Sequence, residues 1–126
     1  MIFGIGTDLV ELSRIKKTYE RFGDHFVNRL LMDEELKLFK NVKNKTRFLA
    51  MRFAAKEALT KALGTGIGRG INIKNIEISN DINGKPFIKL KGKVDQFLKK
   101  RIKKKKYNIF LSLSDDEPWA QATVII

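Results

Sequence analysis

The sequence predicts an α+β domain in which an antiparallel or mixed sheet packs on one long central helix. Three observations carry that prediction: a glycine-bearing strand pattern opens the chain, an alternating strand pattern closes it, and an alanine-rich helical stretch lies between them. At 126 residues, 43% of them hydrophobic and 10% aromatic, the chain fits a single domain over 1–126 with a real core. No internal repeat, Pro-rich linker or shift in composition divides it.

Residues 1–10 alternate as a strand, with Ile2, Gly4, Gly6 and Asp8 on one side and Phe3, Ile5, Thr7 and Leu9 on the other. Glycine weakens a strand, so two of them beside an aspartate mean that another element approaches that face closely. From Glu11 to about Phe22 the spacing of Leu12, Ile15 and Tyr19 is helical, leaving Arg14, Lys17 and Arg21 on more exposed sides. Gly23 interrupts this helix. A short one follows over 24–31, and Asp33-Glu34-Glu35 supplies the acidic first turn of a third, which turns Leu36 and Phe39 inward. Thr46 is read as the N-cap of the longest helix, running from Arg47 to about Leu63, which Gly64 closes. Its Ala54, Ala58 and Ala62 lie one turn apart and admit a close neighbour, beside a row of Leu49, Phe53, Glu57 and Lys61. The stretch 64–70 has too many glycines for a regular element and reads as a mobile loop. Strands over 76–79 and 87–90 flank the turn Asn83-Gly84-Lys85-Pro86. After Gly92, Val94, Phe97, Leu98 and Ile102 mark an amphipathic helix. Ile109, Leu111 and Leu113 then alternate with Phe110, Ser112 and Ser114 as a strand, and 119–126 supply another.

Lysine and arginine number 26 against 14 acidic residues, a net charge of +12, so anionic partners are implied. The sign does not choose among nucleic acid, an acidic protein, an anionic membrane and a phosphorylated small molecule. Nucleotide bias in an AT-rich genome also yields a chain rich in Lys, Ile and Asn. The absence of cysteine excludes a disulfide framework, a thiolate zinc site, an iron–sulfur cluster and a cysteine nucleophile. The first residues carry no basic segment and no apolar run suited to export, and no stretch approaches the roughly 20 apolar residues of a membrane span, so the cytoplasm is the expected compartment.

Four features bear on chemistry. The glycines do not complete a dinucleotide fingerprint, because Leu9 stands where its third glycine belongs, and no Lys-Ser/Thr of a P-loop follows 64–70. The run Lys99-Lys100-Arg101-Ile102-Lys103-Lys104-Lys105-Lys106 resembles a phosphate-contacting patch and supports an alternative reading as a small basic RNA-binding protein. Yet no stacking aromatics interleave with it, and it equally makes the solvated face of a helix. His25, the single histidine, follows Asp24 with no serine nucleophile pattern nearby and is read as a surface or packing residue. Asp8 and Glu57 are the most informative pair. Two hard carboxylates, with water and substrate phosphate completing the shell, are what magnesium takes in phosphoryl chemistry, and Lys56 and Lys61 flank Glu57 as possible phosphate partners. Glu57 and Lys61 make an ordinary i,i+4 surface pair just as well.

The spans Gly4-Ile5-Gly6-Thr7-Asp8-Leu9-Val10-Glu11, Phe48-Leu49-Ala50-Met51-Arg52-Phe53-Ala54-Ala55-Lys56-Glu57-Ala58 and Lys61-Ala62-Leu63-Gly64-Thr65-Gly66-Ile67 together resemble the holo-(acyl-carrier-protein) synthases, a branch of the 4′-phosphopantetheinyl transferases. Asn83-Gly84-Lys85-Pro86 and the closing Ala120-Gln121-Ala122-Thr123-Val124-Ile125-Ile126 extend the likeness along the whole chain. The resemblance implies the 4′-phosphopantetheinyl transferase fold and transfer of phosphopantetheine from coenzyme A to a serine of apo acyl carrier protein, releasing adenosine 3′,5′-bisphosphate in support of fatty acid biosynthesis. It also implies homotrimers with active sites at subunit interfaces and no membrane or specific nucleic acid partner. Carried over by position, Asp8 and Glu57 become magnesium ligands and Lys61 a catalytic phosphate partner. Arg52, Lys56, Gly64, Asn83, Gly84, Lys85 and Pro86 fall on the coenzyme A side, with Lys43 and Lys45 as weaker candidates. Arg14, Lys17 and Arg21 face the acidic carrier protein. The base for the acceptor serine is left open between a water on the metal and a nearby carboxylate. The chain departs from the family's pattern at one place. Where many members have histidine after Ser-x-Ser, it reads Ser112-Leu113-Ser114-Asp115, so Ser114 and Asp115 take the coenzyme A positions although an acidic side chain cannot donate to phosphate as histidine does.

Overall fold

The computed structural model describes residues 1–66 and 71–126. Strand β1 (Ile5–Glu11) is followed by helices α1 (Leu12–Phe22), α2 (Asp24–Leu30), α3 (Asp33–Phe39) and α4 (Lys45–Leu63). Strands β2 (Ile76–Asn80) and β3 (Pro86–Leu90), helix α5 (Gly92–Ile102) and strands β4 (Phe110–Asp116) and β5 (Trp119–Ile125) complete it. One sheet has the order β1-β5-β4 and the other pairs β2 with β3, every ladder antiparallel. The α+β architecture and long central helix agree with the sequence. The first strand begins later, at Ile5, because Phe3 and Gly4 already donate to the carbonyl of Ile126 outside the regular ladder.

The glycine-cleared face of β1 is where α4 lies. A Cβ added to Gly6 would stand 1.9 Å from the carbonyl oxygen of Ala58, and one on Gly4 would stand 2.0 Å from that of Ala62. Helix backbone thus presses directly on strand backbone, which is why the helix carries alanine at 54, 58 and 62 and the strand carries glycine opposite. Ala54 and Ala58 are fully buried, with Leu49, Leu59 and Leu63 on neighbouring turns at no more than 1% exposure. Burying each such leucine stabilises the fold by roughly 1.5–3 kcal/mol.

Helix α4 starts two residues earlier than the sequence indicates. Its N-cap is Asn44, whose side chain accepts from the N–H of Arg47, and Thr46 lies inside the first turn. Gly64 closes the helix in the left-handed region at φ 77°, where a side chain would be strained. The turn between β2 and β3 is organised by Asp81, whose Oδ1 accepts from the N–H groups of Asn83 and Lys85. The glycine-rich stretch read as a loop over 64–70 is described only as far as Gly66, and its remainder lies outside the described residues.

Pairing register separates the two faces of the large sheet. Asp8, Ala122 and Leu113 form one rung facing α4, whereas Leu9, Gln121 and Ser114 form the next, facing away. The outward face carries four large apolar side chains, Ile5, Leu9, Phe110 and Trp119, each at least 44% exposed, among polar ones such as Thr7, Ser112 and Gln121.

Candidate active site

Strand β1 brings Asp8 to the face covered by α4, and helical spacing brings Glu57 and Lys61 to the same place. Lys61 Nζ donates to the carbonyl of Thr7 at 2.8 Å and to Asp8 Oδ1 at 3.1 Å. Asp8 Oδ2 is buried without a hydrogen-bond partner. The Glu57 carboxyl is pushed above the usual range, first by burial and next by the negative charge of Asp8, with Lys61 opposing both. Two carboxylates with an orphaned oxygen and a single lysine therefore suit a hard cation. Among the described residues no group of three or more His, Cys, Asp or Glu side chains gathers, so an ion held here would draw its remaining ligands from water or substrate oxygen.

A second constellation lies at the other end of α4. A cavity of about 540 Å³ is lined by Arg47, Phe48, Arg52, Asn80, Gly84 and Pro86 among others. Arg52 stacks its guanidinium 4.3 Å from the centre of the Phe48 ring. Its Nε stands 3.1 Å from Glu35 Oε2, a charge contact whose N–H is not aligned as a hydrogen bond. At the rim, Arg47 grips Asp115 through two of its three nitrogens, Nε to Oδ2 at 2.7 Å and Nη2 to Oδ1 at 2.9 Å. This pairing holds the Asp115 carboxyl below the usual carboxylate range.

A third surface carries exposed Arg14, Lys17 and Arg21 along α1. Beside it Phe22, His25, Phe26, Arg29 and Phe53 line an apolar groove of about 370 Å³.

The sequence model of the 4′-phosphopantetheinyl transferase superfamily matches residues 4–122, nearly the whole chain. The chain belongs to that superfamily. It is 48% identical to a holo-[acyl-carrier-protein] synthase of Aliivibrio fischeri, covering 98% of this chain and 96% of the relative. A Vibrio cholerae protein of the same name is 46% identical, covering 100% of this chain and 98% of the relative. Among solved structures, the holo-[acyl-carrier-protein] synthase of Neisseria meningitidis superposes with a TM-score of 0.92 at 40% identity, covering 99% and 98% of the two chains. The Helicobacter pylori enzyme, solved in complex with coenzyme A, gives 0.80 at 36% identity, covering 95% and 96%.

Within this transferase the residues read from the sequence fall in different places. Asp8, Glu57 and Lys61 come together. Arg52, Gly84 and Pro86 share the cavity, while Asn83 and Lys85 are exposed on the adjoining turn. Gly64, grouped with that turn by resemblance, lies 12 residues beyond Arg52 on α4, about 18 Å along the helix axis. Ser114 points out of the opposite sheet face from Asp8.

Three assignments need correction. Lys56 is not a phosphate ligand: it is fully enclosed, its Nζ bonded at 2.6 Å to both Glu35 Oε1 and the carbonyl of Leu30. Consecutive helix positions diverge by about 100°, so the neighbour of Glu57 faces the core. Asp115 is occupied by Arg47 and does not itself present a phosphate contact. Lys45 is turned back onto the end of α3, donating to the carbonyl of Phe39 at 2.6 Å. The sequence reading missed Glu35, which is 0% exposed and shared between Lys56 and Arg52, because nothing local distinguishes it from Asp33 and Glu34. It also missed Arg47, whose partner lies 68 residues away.

Proposed function

We infer that this chain is a holo-(acyl-carrier-protein) synthase, moving 4′-phosphopantetheine from coenzyme A to a serine of apo acyl carrier protein. The observation that carries this reading is the crowding of Asp8 and Glu57 beside Lys61, in a chain whose curated relatives bear that name over nearly their full length. In the reaction, the serine oxygen forms a bond to the β-phosphorus of coenzyme A. The bridging P–O bond breaks, adenosine 3′,5′-bisphosphate leaves with the electron pair, and the hydroxyl proton passes to a base. Asp8 and Glu57 would hold magnesium, which when bound neutralises charge on the diphosphate. Lys61, anchored on the Thr7 carbonyl, sets a fixed cation next to the same oxygens.

Arg14, Lys17 and Arg21 form an exposed cationic row suited to an acidic carrier protein, and the neighbouring groove with Phe22 and Phe53 offers an apolar seat beside it. Assembly as a homotrimer with interfacial sites fits two features of the single chain. Its outward sheet face exposes four large apolar side chains, and the residues on the coenzyme A side lie on opposite faces and at opposite ends of α4. A cytoplasmic location accords with such substrates, and no helix among the described residues is long and apolar enough to cross a membrane.

Intact-mass spectrometry of apo acyl carrier protein, incubated with this protein, coenzyme A and magnesium, tests the reading. A gain of about 340 Da, lost with a chelator, is expected of a metal-dependent transfer. No gain from folded protein would refute it.

A further inference from the structure

Asp115 presents a chemical puzzle at the rim of the Arg52 cavity. A carboxylate there repels a phosphate, yet its two oxygens are already committed to one guanidinium in a bidentate grip. The fork engages Arg47 Nε and Nη2, leaving both Nη1 hydrogens and one on Nη2 without protein partners in that contact. The Arg47 side chain is 50% exposed and its residue lines the cavity with Arg52, Asn80, Gly84 and Pro86.

We propose that Arg47 is a phosphate-binding residue of this cavity, directed toward the 3′-phosphate of coenzyme A, and that Asp115 is the positioning residue that orients it. Arginine loses much rotamer freedom when it binds an anion, and a fork already fixed at Nε leaves less to lose. Arg47 and Arg52 are five positions apart on α4 and open onto one space. Glu35 is shared between Arg52 and Lys56, so Arg52 is not held by a carboxylate of its own. The diphosphate is assigned to the Asp8, Glu57 and Lys61 end, so the ligand's other anionic group is the one left for this pair of arginines. The assignment also gives position 115 a role that donation to phosphate cannot: the donor has moved to residue 47.

The inference rests on the proposed transfer from coenzyme A and is tested by comparing coenzyme A with 3′-dephospho-coenzyme A as donors to apo acyl carrier protein. Arg47→Ala is expected to raise the KM for coenzyme A about 10- to 100-fold, the loss of a charge-assisted phosphate contact, with the KM for carrier protein little changed. The preference for coenzyme A over its dephospho form should fall by the same factor. Asp115→Ala should produce a smaller loss of that preference, roughly threefold or more, and no further loss when Arg47 is already alanine. Arg47→Lys should not restore the preference, because lysine lacks the fork. Thermal melts of each variant separate a clamp that merely joins β4 to α4, which would lower Tm without moving the donor preference. An unchanged preference in Arg47→Ala, with the unmodified protein active, overturns this assignment alone. Equal effects of Asp115→Ala with and without Arg47 overturn the positioning role. Absence of transfer by the unmodified protein overturns the underlying reading and this assignment with it.

Discussion

At Glu57, partial burial and the charge of Asp8 together favour the protonated carboxyl, and that sign fixes how pH acts on it. A carboxyl whose folded pKa lies above its ordinary 4.5 contributes stability that is present below that value and lost as pH rises through the folded pKa. Without divalent cation, the Tm difference between Glu57→Gln and the unmodified protein should therefore grow in the variant's favour as pH climbs from 4.5 through the folded pKa, and level off above it. Magnesium should reverse the order at pH 7 by stabilising only the protein that retains both carboxylates. The same variant should lose transfer by about a hundredfold or more, measured as the rate of carrier-protein mass gain. A cation-independent Tm in the unmodified protein would refute the metal assignment. The Asp8–Glu57 pair was legible because strand alternation and helix periodicity each point a side chain by a fixed rule. Lys56, Glu35 and Arg47 were not, because their partners lie 17 to 68 residues away and leave no local pattern.

The close contact between β1 and α4 belongs to two elements jointly. Gly6→Ala would drive a methyl into the Ala58 carbonyl, which is main chain and has no rotamer to adopt. Expected is a loss of about 3 kcal/mol or more in urea unfolding, or failure to fold; a change below about 1 kcal/mol would contradict the packing described. The Glu35 cluster ties α3 to α4 in another way. Glu35→Ala leaves Lys56 and Arg52 enclosed without their counter-charge, a loss of roughly 3–5 kcal/mol, whereas Glu35→Leu combined with Lys56→Met should recover the share due to Lys56 and leave that of Arg52. Equal destabilisation by the single and double replacements would count against an ion pair. The sequence disclosed the glycine and alanine stripes, since small residues in register announce close approach. Helix ends were blurred by competing caps: Asn44 and Thr46 are both suited to the role, and only the Asn44 side chain meets the open N–H of Arg47.

For the molecule as a whole, charge and shape make separate predictions. Arg14→Glu reverses one member of the exposed row on α1 and should raise the KM for carrier protein several-fold more than that for coenzyme A, with the gap narrowing as salt increases. Equal changes for both substrates would remove the row from carrier recognition. If the proposed trimer packs through this face, Leu9→Asp, which places a charge among its exposed apolar side chains, should convert it to monomer in sedimentation, with transfer lost alongside assembly. An unmodified protein that sediments as a monomer would refute the trimer outright. That outward face was written in the sequence as Ile5 and Leu9, but its extent depended on register, which aligns Phe110 and Trp119 with them across three strands. Register has a further consequence during synthesis. The middle strand of the sheet, β5, follows both of its neighbours in the chain. On the ribosome, β1 and β4 must wait without hydrogen-bonding partners until β5 emerges, and the ladder then closes a loop of nearly the entire chain. Nascent protein stalled before Trp119 would expose two unpaired strands and an uncovered face of α4, the surfaces a chaperone grips.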